Sequence, residues 1–242
     1  GDDSMSTGGV ALSRTQLKCP IPIWGAQFTA ADNVQLSIRH MGNVIPYTKM
    51  DRFVAETCTM NDPTCSVTFQ AVVEIIRDST GPASGGVTMI IDAFGLDTNV
   101  QYQCEFTSTE NISVTLYSPF YYPQTPDTFK CELPAWWYHD PKSIVSIVDS
   151  SGTRIPHLDM PLAFSFNATW SGKNLTAAPA RGGTVMGIKV SGLTHSIRYW
   201  CEFSSGNHSL RTIIHLKYGA SAYCRTPFWD RPHGLVNFSI SV

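Results

Sequence analysis

The side chains with chemistry to offer in this 242-residue chain are seven cysteines and a set of asparagines placed for glycosylation. Asn111, Asn167, Asn174, Asn207 and Asn237 each open an Asn-x-Ser/Thr sequon, where roughly one or two would arise by chance. Sequons are modified only along the secretory route, which is also where disulfides form and persist. An odd cysteine count in an oxidising compartment implies paired bridges with one thiol left over. The alternation around the sequons fits strands with a wet face. Val236, Phe238 and Ile240 fall on one side, and Asn237, Ser239 and Ser241 on the other.

Other chemistries find no support in the residue pattern. The Gly85-Gly86 and Gly182-Gly183 pairs are not followed by Lys-Ser/Thr or by a helical pattern, so they read as turn glycines rather than a phosphate loop. The histidines are scattered singly, without metal-ligand spacing. No Gly-x-Ser-x-Gly elbow or other recognised nucleophile arrangement is present. Glu105 and Glu202 recur at equivalent places beside cysteines, which marks them as structural rather than as a glycosidase pair. The expectation is a non-enzyme without metal or cofactor. A net charge of -2 gives no electrostatic footprint for nucleic acid. No apolar run approaches the length needed to span a bilayer, so no membrane insertion is expected of this segment.

The elements that hold these residues emerge when the sequence is compared with itself. Gly81-Pro82-Ala83-Ser84-Gly85-Gly86 matches Ala178-Pro179-Ala180-Arg181-Gly182-Gly183 at an offset of 97 residues, and Tyr102-x-Cys104-Glu105-Phe106 matches Tyr199-x-Cys201-Glu202-Phe203 at the same offset. Cys-x-x-Pro followed by Trp occurs three times, as Cys19 to Trp24, Cys131 to Trp136 and Cys224 to Trp229. Two complete units are expected at 66–160 and 161–242, with the back half of a third at 1–57 and an insertion at 58–65. Short runs of alternating or β-branched residues punctuated by Gly and Pro make every unit an antiparallel β-sandwich.

Repetition restricts the cysteine pairing, because equivalent positions pair equivalently. Cys104 is expected with Cys131, Cys201 with Cys224, and Cys58 with Cys65 in a short closed loop. Cys19 is left over. Its natural partner belongs to a Tyr-x-Cys-Glu-Phe segment that this chain lacks, so the missing half unit is expected upstream in the same polypeptide or from another chain. Trp24, Trp136 and Trp229 recur, which favours a core or junction role. Phe120, Tyr121, Tyr122, Trp137 and Tyr138 do not recur and are the candidate interaction residues.

Paired glycines opening a strand, a central Tyr-x-Cys-x-Phe and a later Cys-x-x-Pro resemble the IPT/TIG immunoglobulin-like repeat family, across most of 66–242 and the initial half unit. That resemblance implies all-β, tandem immunoglobulin-like sandwiches with a spacer, adhesion or partner-binding role. The leading expectation is a non-catalytic structural or adhesive segment of a larger cell-surface or filament glycoprotein. Its partners would be other protein chains or copies of its own repeat, with N-linked glycans on its surface. The alternatives are the stalk of a signalling receptor ectodomain and an accessory module of a secreted carbohydrate-active enzyme.

Overall fold

The computed structural model describes residues 4–13, 16–41, 43–44, 47–48, 55–56, 66–138, 140–217, 221–232 and 234–242. Cys58 and Cys65, and with them the expected short disulfide loop, lie outside the described residues. Apart from one 3-10 turn at Trp24–Ala26, the described regular structure is β-strand. The fold is all-β and immunoglobulin-like.

Before the first complete sandwich come small antiparallel pairs: β1 (Val10–Ala11) with β2 (Leu17–Lys18), β3 (Ala31–Gln35) with β8 (Ser66–Phe69), β4 (Arg39–His40) with β5 (Asn43–Val44), and β6 (Tyr47–Thr48) with β7 (Ala55–Glu56). The first sandwich then uses β9 (Val72–Ile76), β10 (Thr80–Pro82), β11 (Thr88–Phe94), β12 (Tyr102–Ser108), β13 (Thr115–Tyr117), β14 (Thr128–Glu132), β15 (Lys142–Asp149) and β16 (Leu162–Asn167). One sheet runs β10-β16-β15-β12-β13 and the other β14-β11-β9.

Period-two alternation decides which face each strand buries. In β11 the inward set is Met89, Ile91 and Ala93; in β15 it includes Val145 and Ile147. These residues meet Cys104, Phe106, Phe129, Trp136, Phe164 and Phe166 in one contiguous core. Among the described strands β10 alone pairs in parallel, with β16, and an isolated parallel bridge joins Val73 to His157.

The second sandwich repeats this plan with β17 (Thr169–Lys173), β18 (Val185–Ser191), β19 (Trp200–Ser205), β20 (His208–Ile213), β21 (His215–Leu216), β22 (Ser221–Arg225) and β23 (Asn237–Ser241). Its sheets run β17-β18-β22-β21 and β20-β19-β23. A smaller core, with Met186, Ile188, Val190, Tyr199, Cys201 and Cys224 among its buried residues, lies between them.

The unit boundaries fall later than the repeat arithmetic places them. Ser66–Phe69, expected to open the unit 66–160, pairs with β3 of the preceding half unit. Leu162–Asn167, expected to open the unit 161–242, pairs with β15 in the first sandwich. The physical reason is burial, since Phe164 and Phe166 are 1% and 2% exposed within the first core. Each sandwich therefore closes on a strand that runs almost directly into the first strand of the next, β8 into β9 and β16 into β17.

Candidate functional site

Both repeat-derived bridges are present. Cys104–Cys131 and Cys201–Cys224 have S–S distances of 2.05 and 2.07 Å and join the two sheets of their respective sandwiches. All four half-cystines are at most 1% exposed. Cys19 is free and exposed.

The motif around each bridge does more than carry the cysteine. Two residues before Cys104, the Tyr102 hydroxyl accepts a hydrogen bond from the Asp97 N–H at 3.1 Å. Tyr199, two residues before Cys201, accepts from the Thr194 N–H at 3.3 Å. This is the device known as a tyrosine corner in immunoglobulin sandwiches, a ring anchoring the chain as it crosses between sheets. Burial is the main reason the Tyr102 hydroxyl titrates above its ordinary range. The Tyr-x-Cys spacing was the available signal for this role.

Backbone bonds repeat as well. Gly85 N–H donates to the Pro82 carbonyl and Gly182 N–H to that of Pro179, both at 3.0 Å. Trp136 N–H donates to Ala83 at 2.8 Å, and Trp229 N–H to Ala180 at 2.7 Å. Gly85 and Gly182 have φ of +73° and +70°, so the paired glycines serve turns that side chains resist.

The recurring tryptophans mark where units close. Trp136 is fully buried and stacks on Phe166 with ring centroids 4.5 Å apart; Trp24, 7% exposed, stacks on Phe69 at 5.2 Å. Each indole N–H is satisfied nearby, Trp136 by the Asp140 carbonyl at 2.6 Å and Trp24 by that of Thr29 at 2.8 Å. Trp229 is half-buried, and His208 meets its ring edge-on at 5.2 Å.

Seams between units use a second pair of matched glycines. Gly95 N–H donates to the Gly25 carbonyl at 3.0 Å, and the Gly95 carbonyl accepts from Ala30 N–H at 2.8 Å. At the equivalent Gly192, an added Cβ would lie 2.7 Å from Ala83 Cβ and 3.3 Å from Ala168 Cα. Both glycines have positive φ, +79° and +72°. The same sheet-to-sheet loop of each sandwich, after β11 and after β18, thus rests on the unit before it.

Charged groups act as local ties. Asp140 is 2% exposed; burial alone would raise its pKa, but bonds from the Lys142 and Glu110 N–H groups and the Ser108 and Thr109 hydroxyls outweigh this and hold it low. Glu105 is 6% exposed and meets Arg154 Nη2 at 2.6 Å. Glu202 is held low by the Ser209 hydroxyl and by Arg211, 3.3 Å away. Among the described residues no group of three or more His, Cys, Asp or Glu side chains could hold a metal ion, and no helix is long and apolar enough to cross a membrane.

The candidate aromatic residues do not form one patch. Tyr121 exchanges backbone bonds with Tyr102 at one end of β12, whereas Trp137 and Tyr138 precede Asp140, which is tied to Ser108 at the other. Phe120, Tyr122 and Trp137 are 43%, 58% and 49% exposed. Tyr121 and Tyr138 instead pack against the first core. Burial, reinforced by the nearby Glu132 carboxylate, raises the Tyr121 hydroxyl pKa.

All five sequon asparagines are exposed. Asn237 lies on the outward face of β23, and Asn167 ends β16. Asn111 accepts from Ser113 N–H at 3.0 Å in a turn, and Asn174 from Gly187 N–H at 2.8 Å. Asn207 occupies a two-residue hairpin turn after Gly206, whose φ is +56°.

No protein-family model matches the chain, and no curated protein does. Solved structures do. The full extracellular region of plexin A4 aligns at 16% identity and a TM-score of 0.27, covering 67% of this chain and 13% of that one. A tetra-tandem repeat in the extending region of a large adhesion protein aligns at 6% identity and a TM-score of 0.31, covering 71% and 48%. The chain spans less than half the length of either, and the assignment of an immunoglobulin-like fold rests on its own strand topology.

Proposed function

We propose that this chain is a non-catalytic structural or adhesive segment of a larger extracellular or cell-surface glycoprotein, built of sandwiches stacked end to end. The single observation that carries the reading is the repeated seam. Gly95 rests on Gly25 and Ala30, and Gly192 on Ala83 and Ala168, with the closing strand of each unit leading straight into the next. A linker of one or two residues leaves little freedom between neighbours, which suits a spacer holding its two ends apart. The disulfides and exposed sequons suit the secretory route, and the partners are other protein chains or further copies of the repeat.

Small-angle scattering on the 242-residue chain tests the seam. An elongated particle is expected, with a maximum dimension at least twice its cross-section; a near-spherical particle would overturn the reading. N-glycosidase treatment of secreted material tests the compartment, and a mass loss for at least three of the five sequons is expected. An unchanged mass would remove the glycoprotein assignment.

A further inference from the structure

Charge is divided between the two sandwiches in a way that the net value of -2 conceals. Residues 70–167 carry eleven Asp and Glu against four Lys and Arg, whereas residues 168–226 carry seven Lys and Arg against one carboxylate, Glu202, which is paired with Arg211. Most cations of this second stretch therefore meet no opposite charge within it. The division is clearest on one face. The sheets β14-β11-β9 and β17-β18-β22-β21 are equivalent, each lying opposite the sheet that holds its unit's Tyr-x-Cys strand, β12 or β19. Asp92 in β11 and Glu132 in β14 point outward, alternating with buried Ile91, Ala93 and Cys131. Lys189 in β18 and Arg225 in β22 point outward likewise, alternating with buried Ile188, Val190 and Cys224. The offset of 97 residues lays Asp92 on Lys189, and the offset of 93 between Cys131 and Cys224 lays Glu132 on Arg225. A base stands for an acid at both places.

Register makes the spacings equal as well. Asp92 pairs with Thr128, four residues before Glu132, and Lys189 pairs with Ser221, four residues before Arg225. Each charged pair thus spans about 14 Å along the strands, so two bases laid over two acids meet both at once. The rest of the second face is basic too. No Asp or Glu occurs in β17, β18, β21 or β22, and Lys217 Nζ lies 5.3 Å from the centre of the Tyr223 ring, on which His215 is stacked. On the first face Glu74 and Asp127 stand beside the two acids, and Lys130 and Arg77, the latter 2.8 Å from Asp92, offset only part of that charge.

We propose that the outward face of β18 and β22 docks on the outward face of β11 and β14 in a second copy of this chain, the basic second sandwich of one copy covering the acidic first sandwich of another. Within one chain the two units abut end to end through the Gly192 seam, so the acidic face that meets the basic one is a second copy's. Complementary potentials steer such an encounter and fix its register, while like faces repel. Copies therefore lie side by side with a stagger of one unit. The inference deepens the structural and adhesive reading by naming its partner, and it rests on that reading. Shape is measured on the monomer in about 1 M salt and association in dilute salt, where screening is weak, so either result can fail alone.

Sedimentation velocity on the 242-residue chain tests the contact. Expected is concentration-dependent association in dilute salt that disappears in about 1 M salt, where the Debye length falls to about 3 Å. Asn174 borders the basic face, its side-chain oxygen accepting from Gly187 N–H, so the chain is also measured with Thr176→Ala, which removes the sequon and leaves that bond in place. Lys189→Glu with Arg225→Glu should weaken association at least about tenfold, and Asp92→Lys with Glu132→Lys should do the same. Because Asp92 also holds Arg77, Glu132→Lys alone replaces the second variant if the double change lowers its melting temperature. An equimolar mixture of the two charge-reversed chains should associate again, since each then supplies the face that the other lacks, and a misfolded variant could not restore it. Absence of association in both sequon forms at dilute salt, association that survives about 1 M salt, undiminished association of either reversed chain, or a mixture that stays monomeric would each overturn the assignment. Saturable binding of dextran sulfate by a chain that remains monomeric would overturn it too, making the basic face a site for an anionic polysaccharide.

Discussion

The Trp136 ring lies flat on the Phe166 ring, centroids 4.5 Å apart and planes 5° from parallel. Phe166 comes from the strand that leads into the next sandwich, so this contact finishes one unit at the point where the other begins. Trp136→Ala and Phe166→Ala should each cost the first sandwich about 3 to 5 kcal/mol, the range for removing a buried aromatic. Trp229→Ala, at a half-buried position beside His208, should cost its own sandwich less. Thermal melts of the three variants compare them directly, and an equal loss at Trp229 would contradict the placement.

Gly192 and Gly183 separate the cost of a seam from the cost of a backbone conformation. Both have positive φ, +72° and +80°, so alanine at either position strains the chain by about 1 to 2 kcal/mol. Around Gly183 there is nothing within 4 Å for a new Cβ to meet, whereas at Gly192 it would lie 2.7 Å from Ala83. Gly192→Ala should therefore lose more stability than Gly183→Ala and alone should broaden the distribution of inter-unit distances in a spin-label measurement. Identical behaviour of the two variants would show that the seam transmits nothing.

Self-comparison made the bridges, the turn glycines and the Tyr-x-Cys motif readable, because each is a residue type that its position demands. Boundaries were harder. A period states the length of a unit but not where it starts, and Phe69 and Phe166, 97 residues apart and each three residues ahead of the next unit's first strand, fit either side of the cut. Pairing with β3 and β15 and stacking on Trp24 and Trp136 assign them to the unit before. The tie between Glu105 and Arg154 was also invisible, since Glu202 meets Arg211 from a different strand and the repeat gives no common partner. Phe120 to Tyr122 and Trp137-Tyr138 read alike as unrepeated aromatics, and only the direction of β12 separates them.

Asp140 makes the first sandwich acid-sensitive. Its pKa is lowered in the folded chain, where burial opposes ionisation but four hydrogen bonds favour it more strongly. A carboxylate depressed by folding contributes stability above its unfolded pKa of about 3.9, and that contribution is lost as pH falls through the folded value. The melting temperature of the first sandwich should decline below about pH 4, and Asp140→Asn should flatten that part of the profile while lowering stability at neutral pH. An unchanged acid limb in the variant would assign the sensitivity to other carboxylates.

Reduction should separate the two sandwiches. The bridges close segments of 27 and 23 residues, for which the chain-entropy relation gives roughly 3.5 kcal/mol each. The contributions are nearly equal, but what they are added to is not. In the first unit the bridge sits among Phe106, Phe129, Trp136, Phe164 and Phe166, all at most 2% exposed. In the second, Phe203 and Phe238 pack from a partly buried position, and the half-cystines are a larger share of the buried set. Losing the same increment from a smaller total brings the second unit to its threshold first. Scanning calorimetry with reductant should move the second sandwich below the first and split the trace into two transitions, with Cys224→Ala reproducing the lower one and leaving the upper in place. A single coincident transition after reduction, or earlier melting of the unit containing Trp136, would refute this ordering.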